Sequence, residues 1–174
     1  FNNVDYLGVA YADEGVELRK AGILLPIMVM NPEPSAFEKM VAHHLEPELY
    51  SFEILHQFEL FLKQEGFSFY PIHLEIETGM NRLGFAISDL DKLATALLST
   101  DAFKLQSVFT HLAASEEAAH DAFSMEQYQR FEKAVSLLKT RTGFTFISHI
   151  ANSAAASTNA NGYGEAGHRI VWSG

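Results

Sequence analysis

The sequence contains no cysteine among its 174 residues, and it has only 12 Lys and Arg against 22 Asp and Glu. The absence of cysteine excludes a disulfide framework and thiolate metal sites, and it suits a reducing compartment. A formal net charge of −10 without a basic cluster predicts no nucleic-acid partner. Long apolar runs are absent too, because residues 23–30 fall far short of the roughly 20 residues that cross a bilayer. We therefore expect no membrane partner.

The length fits a single domain, and short β-rich runs alternate with segments of helical period. This alternation predicts βα units and a parallel sheet. Ser51 is a predicted N-cap of a helix that ends at Gly66, and Ser124 with Gln127 forms a capping-box pattern ahead of another helix. The predicted strands are Tyr6–Ala10, Leu24–Met30, Pro47–Ser51, Phe69–Ile76, Leu105–His111 and Thr145–Ile150.

Six consecutive βα units are compatible with an open doubly wound sheet or with part of a (β/α)8 barrel. An eight-stranded barrel usually takes about 250 residues, so the chain is about two units short of one. No glycine-rich dinucleotide fingerprint follows a predicted strand, which disfavours a Rossmann-type sheet. In both architectures the chemistry gathers at the carboxyl ends of the strands.

Charged side chains alternate with apolar ones along the fourth predicted strand. His73, Glu75 and Glu77 share one face of it, and the intervening isoleucine and leucine side chains share the other. Arg82 is the nearest cation in the sequence and could hold a carboxylate through two parallel hydrogen bonds. A structural ion pair or a solvated edge would explain the same spacing equally well.

Two further strands end in polar residues. His111 and His149 each lie at a predicted strand terminus, where a packed or hydrogen-bonded histidine is the more common alternative to a functional one. Asn152 and Ser153 could present a hydroxyl, an amide and backbone N–H groups to an anion, although Asn-Ser is equally a turn signal.

Three blocks of sequence together resemble alanine racemase, a fold-type III pyridoxal-phosphate (PLP) enzyme. They are the runs at residues 73–85 (HLEIETGMNRLGF), 109–116 (FTHLAASE) and 149–154 (HIANSA), and the resemblance extends over roughly residues 4–156. It implies part of a (β/α)8 barrel of about six βα units, with strand one and most of strand eight missing. Residues 10–15 and 26–32 also resemble the racemase half of fusions with a Mur-type ligase.

The resemblance also implies roles for individual residues. Arg82 matches the arginine on the phenolic oxygen of the cofactor and the substrate carboxylate, and His111 matches the histidine beside the PLP ring. Asn152 and Ser153 match the pair near the cofactor, with the serine on its phosphate. His149 matches the histidine that supports the arginine facing the pyridine nitrogen.

That arginine corresponds by position to Arg169, although the residues after it depart from the pattern of the family. The resemblance therefore implies a partial PLP-binding barrel over residues 1–154. Residues 155–174 form a tail that diverges from the family, and a flexible edge, a divergent loop and sequence outside the barrel are the alternatives for it. Glu75 stands where many relatives carry a carbamylated lysine, so it is expected to supply negative charge to the active-site arginine. No metal site is implied.

The implied activity is interconversion of L-alanine and D-alanine for peptidoglycan synthesis by a cytoplasmic homodimer. The chain lacks the lysine that forms the Schiff base with PLP and the tyrosine from the partner subunit, so by itself it is expected to be inactive. One alternative is a non-catalytic PLP-binding or homeostasis barrel. Another is a metal-dependent barrel hydrolase with Glu75, Glu77, His111 and His149 as ligands.

Overall fold

The computed structural model describes residues 5–113, 121–151 and 170–172. In that part of the chain eight strands form one sheet in the order β7-β6-β4-β3-β2-β1-β8, with β5 on β4, and every pairing is parallel. The strands are β1 (Tyr6–Val9), β2 (Ile27–Val29), β3 (Glu46–Leu49), β4 (Tyr70–Glu77), β5 (Phe85–Ala86), β6 (Phe103–His111), β7 (Ile147–Ala151) and β8 (Ile170–Trp172).

Five α-helices connect these strands, as parallel pairing requires of its crossovers. Helix α3 confirms the predicted signals: the Ser51 hydroxyl accepts a hydrogen bond from the Ile54 N–H at 3.3 Å, and Gly66 ends the helix at φ 75°. The helices are α1 (Ala12–Lys20), α2 (Phe37–Ala42), α3 (Phe52–Glu65), α4 (Leu90–Leu98) and α5 (Asp121–Thr142), with 3₁₀ turns at Pro34–Ala36 and Ile87–Asp89.

The predicted fold class is confirmed, since the six predicted strands are present, run parallel and alternate with helices as part of a (β/α)8 barrel. The largest difference in boundaries is at the second strand, which was predicted from Leu24 and starts at Ile27. The short strands β5 and β8 were not predicted. The division into residues 1–154 and 155–174 stays a prediction, because most of the second segment lies outside the described residues.

The main apolar core lies between the sheet and the helices. Phe58 of α3 is fully buried there, with ring centroids 4.9 Å from Phe37 and 5.6 Å from Tyr70. Helix α4 contributes four buried side chains at helical spacing: Leu90, Leu93, Ala94 and Leu97. We call the opposite side of the sheet, which faces away from the helices, its inner face. None of the described helices combines the length and the apolar composition needed to span a membrane.

Candidate functional site

The inner face of β4 carries the polar side chains that its alternation predicted. His73 and Glu75 are 1% and 2% exposed, whereas Leu74 and Ile76 belong to the core beneath the helices. A β-bulge opposite residues 72 and 73 shifts the register between β4 and β6. Ionisable groups buried this deeply need hydrogen-bonding partners, because an unpaired buried charge is costly.

The first set of partners crosses the sheet from β1 to β7. The Tyr6 hydroxyl donates to Glu46 Oε2 at 2.6 Å, and His73 Nε2 lies 2.9 Å from the same oxygen. His73 Nδ1 lies 2.7 Å from Ser107 Oγ, which lies 3.2 Å from His149 Nε2. A carboxylate oxygen only accepts, so His73 donates through Nε2. We call these five residues the interior chain.

Two apolar side chains lie level with the polar groups of the inner face, because Met28 pairs with Glu46 and Phe109 pairs with His149 in the strand register. Met28 and Phe109 are fully buried and contact each other as a small cluster apart from the main core. The Phe109 ring stacks on His149 with centroids 5.0 Å apart, and its centroid is 5.5 Å from that of His111. Burial lowers the pKa of His149 to about 3, and the neighbouring His73 and His111 add to the effect.

The carboxyl ends of β3, β4 and β6 carry Glu48, Glu75 and His111. Glu75 Oε1 accepts a hydrogen bond from His111 Nδ1 at 3.0 Å. Burial alone would raise the pKa of Glu75, but its contacts with His111 and Glu48 and the charge of Arg82 lower it. Burial, followed by the proximity of Glu75, raises the pKa of Glu48 well above its usual range.

The loop after β4 forms the rim of the site. The Glu77 carboxylate accepts hydrogen bonds from the backbone N–H groups of Gly79 and Asn81, the second at 2.6 Å. Gly84 has φ +112°, and a Cβ there would lie 2.7 Å from the Glu77 nitrogen, so the loop requires glycine at this position. Glu77 therefore fixes the backbone of the loop that forms the rim.

Arg82 lies on this rim and is exposed. Among the described residues it forms no bidentate ion pair, which differs from one of the predicted alternatives. Its charge nevertheless favours the ionised form of both Glu48 and Glu75, although burial and Glu75 still raise the pKa of Glu48 overall. The guanidinium thus stands close to the buried carboxyl groups while remaining accessible to a ligand.

Helix α5 contacts the rim and β6 through Gln127, which the sequence pattern assigned to a capping box. The helix begins at Asp121, so Ser124 is not its N-cap and the predicted capping box with Gln127 is wrong. The fully buried Gln127 amide donates to Thr78 Oγ1 and the His111 carbonyl, both at 3.2 Å.

Two further hydrogen bonds connect α5 to the ends of β4 and β6. Gln127 Oε1 accepts from the Ala113 N–H at 3.1 Å, and Arg130 Nη1 donates to the Thr78 carbonyl at 3.0 Å. The hydroxyls of Thr78 and Thr110 are 2.8 Å apart, which links β4 to β6 directly. Because these bonds hold the ends of both strands, they position the segments that carry Arg82 and His111.

The structure brings three predicted site residues to the carboxyl ends of neighbouring strands: Glu75, His111 and Arg82. His149 lies deeper, with Ser107 as its hydrogen-bonding partner. Asn152, Ser153 and Arg169 lie outside the described residues, although Asn152 directly follows the last residue of β7. The roles that the resemblance assigns to all of these residues stay predictions.

Sequence reasoning missed Glu46, Glu48 and Gln127. The Glu-Pro-Glu spacing at residues 46–48 was an available signal, because alternate residues of a strand face the same side. No group of three potential metal ligands that could hold an ion occurs within the described segments, including the set expected for a barrel hydrolase.

Comparison with known proteins assigns the sequence to a family. The alanine racemase N-terminal domain family matches residues 1–166. Alanine racemase 1 of Oceanobacillus iheyensis is 32% identical over 155 residues, covering 87% of this chain and 40% of that protein. Alanine racemase of Desulfovibrio desulfuricans is 32% identical over 161 residues, covering 91% and 42%. The chain therefore spans about two fifths of the length of these relatives.

Solved structures give the same relationship for the fold. Alanine racemase of Clostridium difficile 630 superimposes with a TM-score of 0.83 at 28% identity, covering 98% of this chain and 46% of that one. Alanine racemase of Bartonella henselae, which was solved with covalently bound pyridoxal phosphate, has a TM-score of 0.74 at 22% identity, covering 96% and 46%.

Proposed function

Because the chain belongs to the alanine racemase N-terminal domain family, we propose that it is the cofactor-binding barrel of a polypeptide that interconverts L-alanine and D-alanine with PLP. The observation that carries the proposal is the His111–Glu75 pair at the carboxyl end of the sheet, with the exposed Arg82 beside it. In (β/α)8 barrels, the catalytic groups gather at this end.

The residues present fit the ring-facing side of PLP. An exposed guanidinium suits the phenolic oxygen of the cofactor or the carboxylate of an amino acid, since both are anionic and Arg offers parallel donors. His111 is fixed in orientation by Glu75 and by helix α5 through its own carbonyl. Ser153 would hold the phosphate group and Asn152 would lie near the cofactor, as the resemblance implies.

PLP, when bound to an amino acid, withdraws electrons and so weakens the Cα–H bond. The residues of this chain orient and shield the reactants. Arg82 binds the anionic oxygen, and Glu75 keeps His111 Nδ1 protonated as a hydrogen-bond donor. The fully buried Phe109 lies beside His111 with ring centroids 5.5 Å apart, and Met28 contacts Phe109, so this side of the site is apolar. Apolar surroundings strengthen the contact between His111 and Glu75.

Covalent attachment of PLP does not fit the described part of the chain. Its seven lysines are Lys20, Lys39, Lys63, Lys92, Lys104, Lys133 and Lys139. Six of them lie on helices and Lys104 lies at the exposed start of β6, so none extends from the carboxyl end of a strand. We propose that this chain alone is inactive and that a complete polypeptide supplies the lysine and, from a partner subunit, the tyrosine.

The remaining parts of the proposal follow from the family. They are the supply of D-alanine for peptidoglycan, a homodimeric assembly and a cytoplasmic location. The fusion with a Mur-type ligase stays a prediction. The non-catalytic PLP-binding barrel remains the main alternative, because the same rim could hold the cofactor without a proton-transferring lysine and tyrosine.

The test compares Arg82→Ala with Arg141→Ala in a complete polypeptide that contains this barrel. Arg141 is exposed and pairs with Asp91 at 2.8 Å, at the far end of α5. We expect Arg82→Ala to lower kcat/KM for alanine about a hundredfold or more, as loss of one preorganised donor does. Arg141→Ala is expected to stay close to the wild type. D-alanine formation is the measurement.

Three outcomes would contradict the proposal. Binding of PLP without racemisation by the complete polypeptide would favour the non-catalytic barrel. Stoichiometric zinc or manganese in the purified protein would favour the hydrolase. D-alanine formation by the 174-residue chain alone would refute the argument from the missing lysine.

A further inference from the structure

Two neighbouring glutamates hold all the buried side-chain oxygens that lack a hydrogen-bond donor in the described part of the chain. These atoms are both carboxyl oxygens of Glu48 and Oε2 of Glu75. The two residues are 0% and 2% exposed. An unsatisfied buried polar atom costs about 1–3 kcal/mol, and more when it is charged, so three such atoms in one place require an explanation.

The strand register explains how the two carboxyl groups meet. Glu48 on β3 pairs with His73 on β4, and Glu75 lies two residues further along the same face of β4. The two carboxyl groups are therefore neighbours on the inner face, and each acts on the pKa of the other. When both are ionised, two acceptors face each other and no donor lies between them. A single proton supplies that donor.

We propose that Glu48 carries a proton that it donates to Glu75, and that the pair acts as one negative charge which positions His111 and Arg82. Glu75 Oε2 then accepts from Glu48, while Glu75 Oε1 accepts from His111 Nδ1 at 3.0 Å. Glu48 thereby becomes a positioning residue that acts through Glu75. Its role in racemisation rests on the proposed function, whereas the shared proton does not.

The charges around the pair agree with this distribution. Burial opposes ionisation of Glu48, and the neighbouring Glu75 carboxylate opposes it further, so the pKa of Glu48 is raised. His111 and Arg82 face Glu75 and favour its ionised form, so the pKa of Glu75 is lowered. Two like charges in a shared buried site do not ionise together, which leaves one proton for two carboxyl groups.

Glu46 provides a contrast on the same strand. It lies two residues before Glu48 on the same inner face, but its Oε2 accepts hydrogen bonds from Tyr6 and from His73. A glutamate with two donors needs no proton of its own. Glu46→Gln is therefore a matched control for changes at Glu48.

The test is infrared spectroscopy of the purified 174-residue chain, which resolves the carbonyl band of a buried carboxylic acid from the bands of ionised carboxylates. We expect an acid band that persists at pH values well above 4.5, because the pKa of Glu48 is raised. The band should be absent from Glu48→Gln and present in both Glu75→Gln and Glu46→Gln. Disappearance of the band close to pH 4.5 in the wild type, as for an ordinary glutamate, would overturn the proposal without any variant.

Other outcomes would also overturn it. A band lost from Glu75→Gln but kept in Glu48→Gln would place the proton on Glu75. Complete absence of the band would mean that both groups are ionised. The infrared result does not depend on catalysis. An acid band in the 174-residue chain, together with a complete polypeptide that fails to racemise alanine, would refute the proposed function and leave the shared proton standing.

The positioning role has its own readout in the complete polypeptide. Glu48→Leu removes the donor to Glu75, whereas Glu48→Gln keeps an N–H in its place. We expect Glu48→Leu to lower kcat about tenfold, which corresponds to about 1.4 kcal/mol, and Glu48→Gln to recover most of that loss. Equal kcat values for the two variants would show that Glu48 has only a structural role.

Discussion

The two faces of the sheet are stabilised by different physical means. Toward the helices, the strands bury aliphatic and aromatic side chains such as Leu74, Ile76 and Phe103. On the inner face β4 buries His73 and Glu75, which adjoin Leu74 in the sequence, and β3 buries Glu48. Burial stabilises the outer face by removing apolar area from water, whereas the inner face is stable only where each polar group finds a partner.

The two faces of the sheet should also respond differently to substitution. An apolar layer tolerates exchange of one hydrophobic residue for another of similar volume. The inner face does not tolerate such exchanges, because removal of one hydrogen-bonding side chain leaves another buried polar group without a partner. No buried side-chain atom of the interior chain lacks a hydrogen-bond partner, whereas Glu48 and Glu75 hold all three such buried oxygens in the described residues. The charge of Arg82 acts on both of these carboxyl groups.

The largest effect is expected from a cavity in the outer layer. Phe58→Ala removes a fully buried ring that contacts Phe37 and Tyr70, and the cost should be about 4 kcal/mol. Leu24→Ala is the control, because Leu24 is 92% exposed. Urea unfolding is the measurement. A loss below about 1 kcal/mol for Phe58→Ala would show that the outer layer is not the main source of stability.

The second effect is a pH dependence that belongs to the inner face. His149 has a pKa of about 3 in the folded chain against 6.5 for an ordinary histidine. Between these pH values its side chain is protonated in the unfolded chain and neutral in the folded chain. Stability should therefore fall as pH decreases from about 6.5 toward about 3. His149→Gln keeps a hydrogen-bonding group beside Ser107 but cannot titrate.

In this variant we expect the free energy of unfolding to change with pH by about 2 kcal/mol less than in the wild type. This value is smaller than the one the full pKa difference would give, because the ring is only half-buried. Glu48 contributes the opposite slope, because its raised pKa makes stability fall as pH rises above about 4.5. Chemical unfolding across this pH range checks both. An unchanged slope in His149→Gln would mean that His149 is protonated in the folded chain.

The smallest effect concerns the tie between α5 and the rim. Arg130 and Arg141 both form ion pairs with an acidic residue on the surface, at 2.6 and 2.8 Å, but Arg130 also donates to the Thr78 carbonyl. Exposed ion pairs contribute little, so Arg141→Ala should be nearly neutral, while Arg130→Ala should cost about 1 kcal/mol. Thermal unfolding of both variants gives the difference. Equal losses would show that the bond to Thr78 adds nothing.

Most of the fold and part of the site could be predicted from local sequence patterns. The alternation along residues 72–77 correctly separated the two faces of β4, and the cap at Ser51 and the stop at Gly66 correctly bounded α3. These features depend on residues close in sequence. The strand ends also placed Arg82 and His111 at one end of the sheet.

The missed residues depend on contacts between distant parts of the chain. Gln127 looks like half of a capping box, yet it bonds to Thr78, which is 49 residues away. Glu46 was left out of the predicted third strand, and its partner His73 is 27 residues away. Short-range patterns contain no information on which buried acceptor meets which donor, because register and strand order decide it.

The sequence by itself determined the period of each element, the apolar side of each strand and helix, and the family to which the chain belongs. Tertiary structure alone decided the protonation and pairing of the buried glutamates. Glu46 and Glu48 have the same chemistry and the same face of β3, but one meets two donors and the other meets a second carboxyl group. The energy of a charge in an interior is set by its neighbours in space, and those neighbours come from other strands.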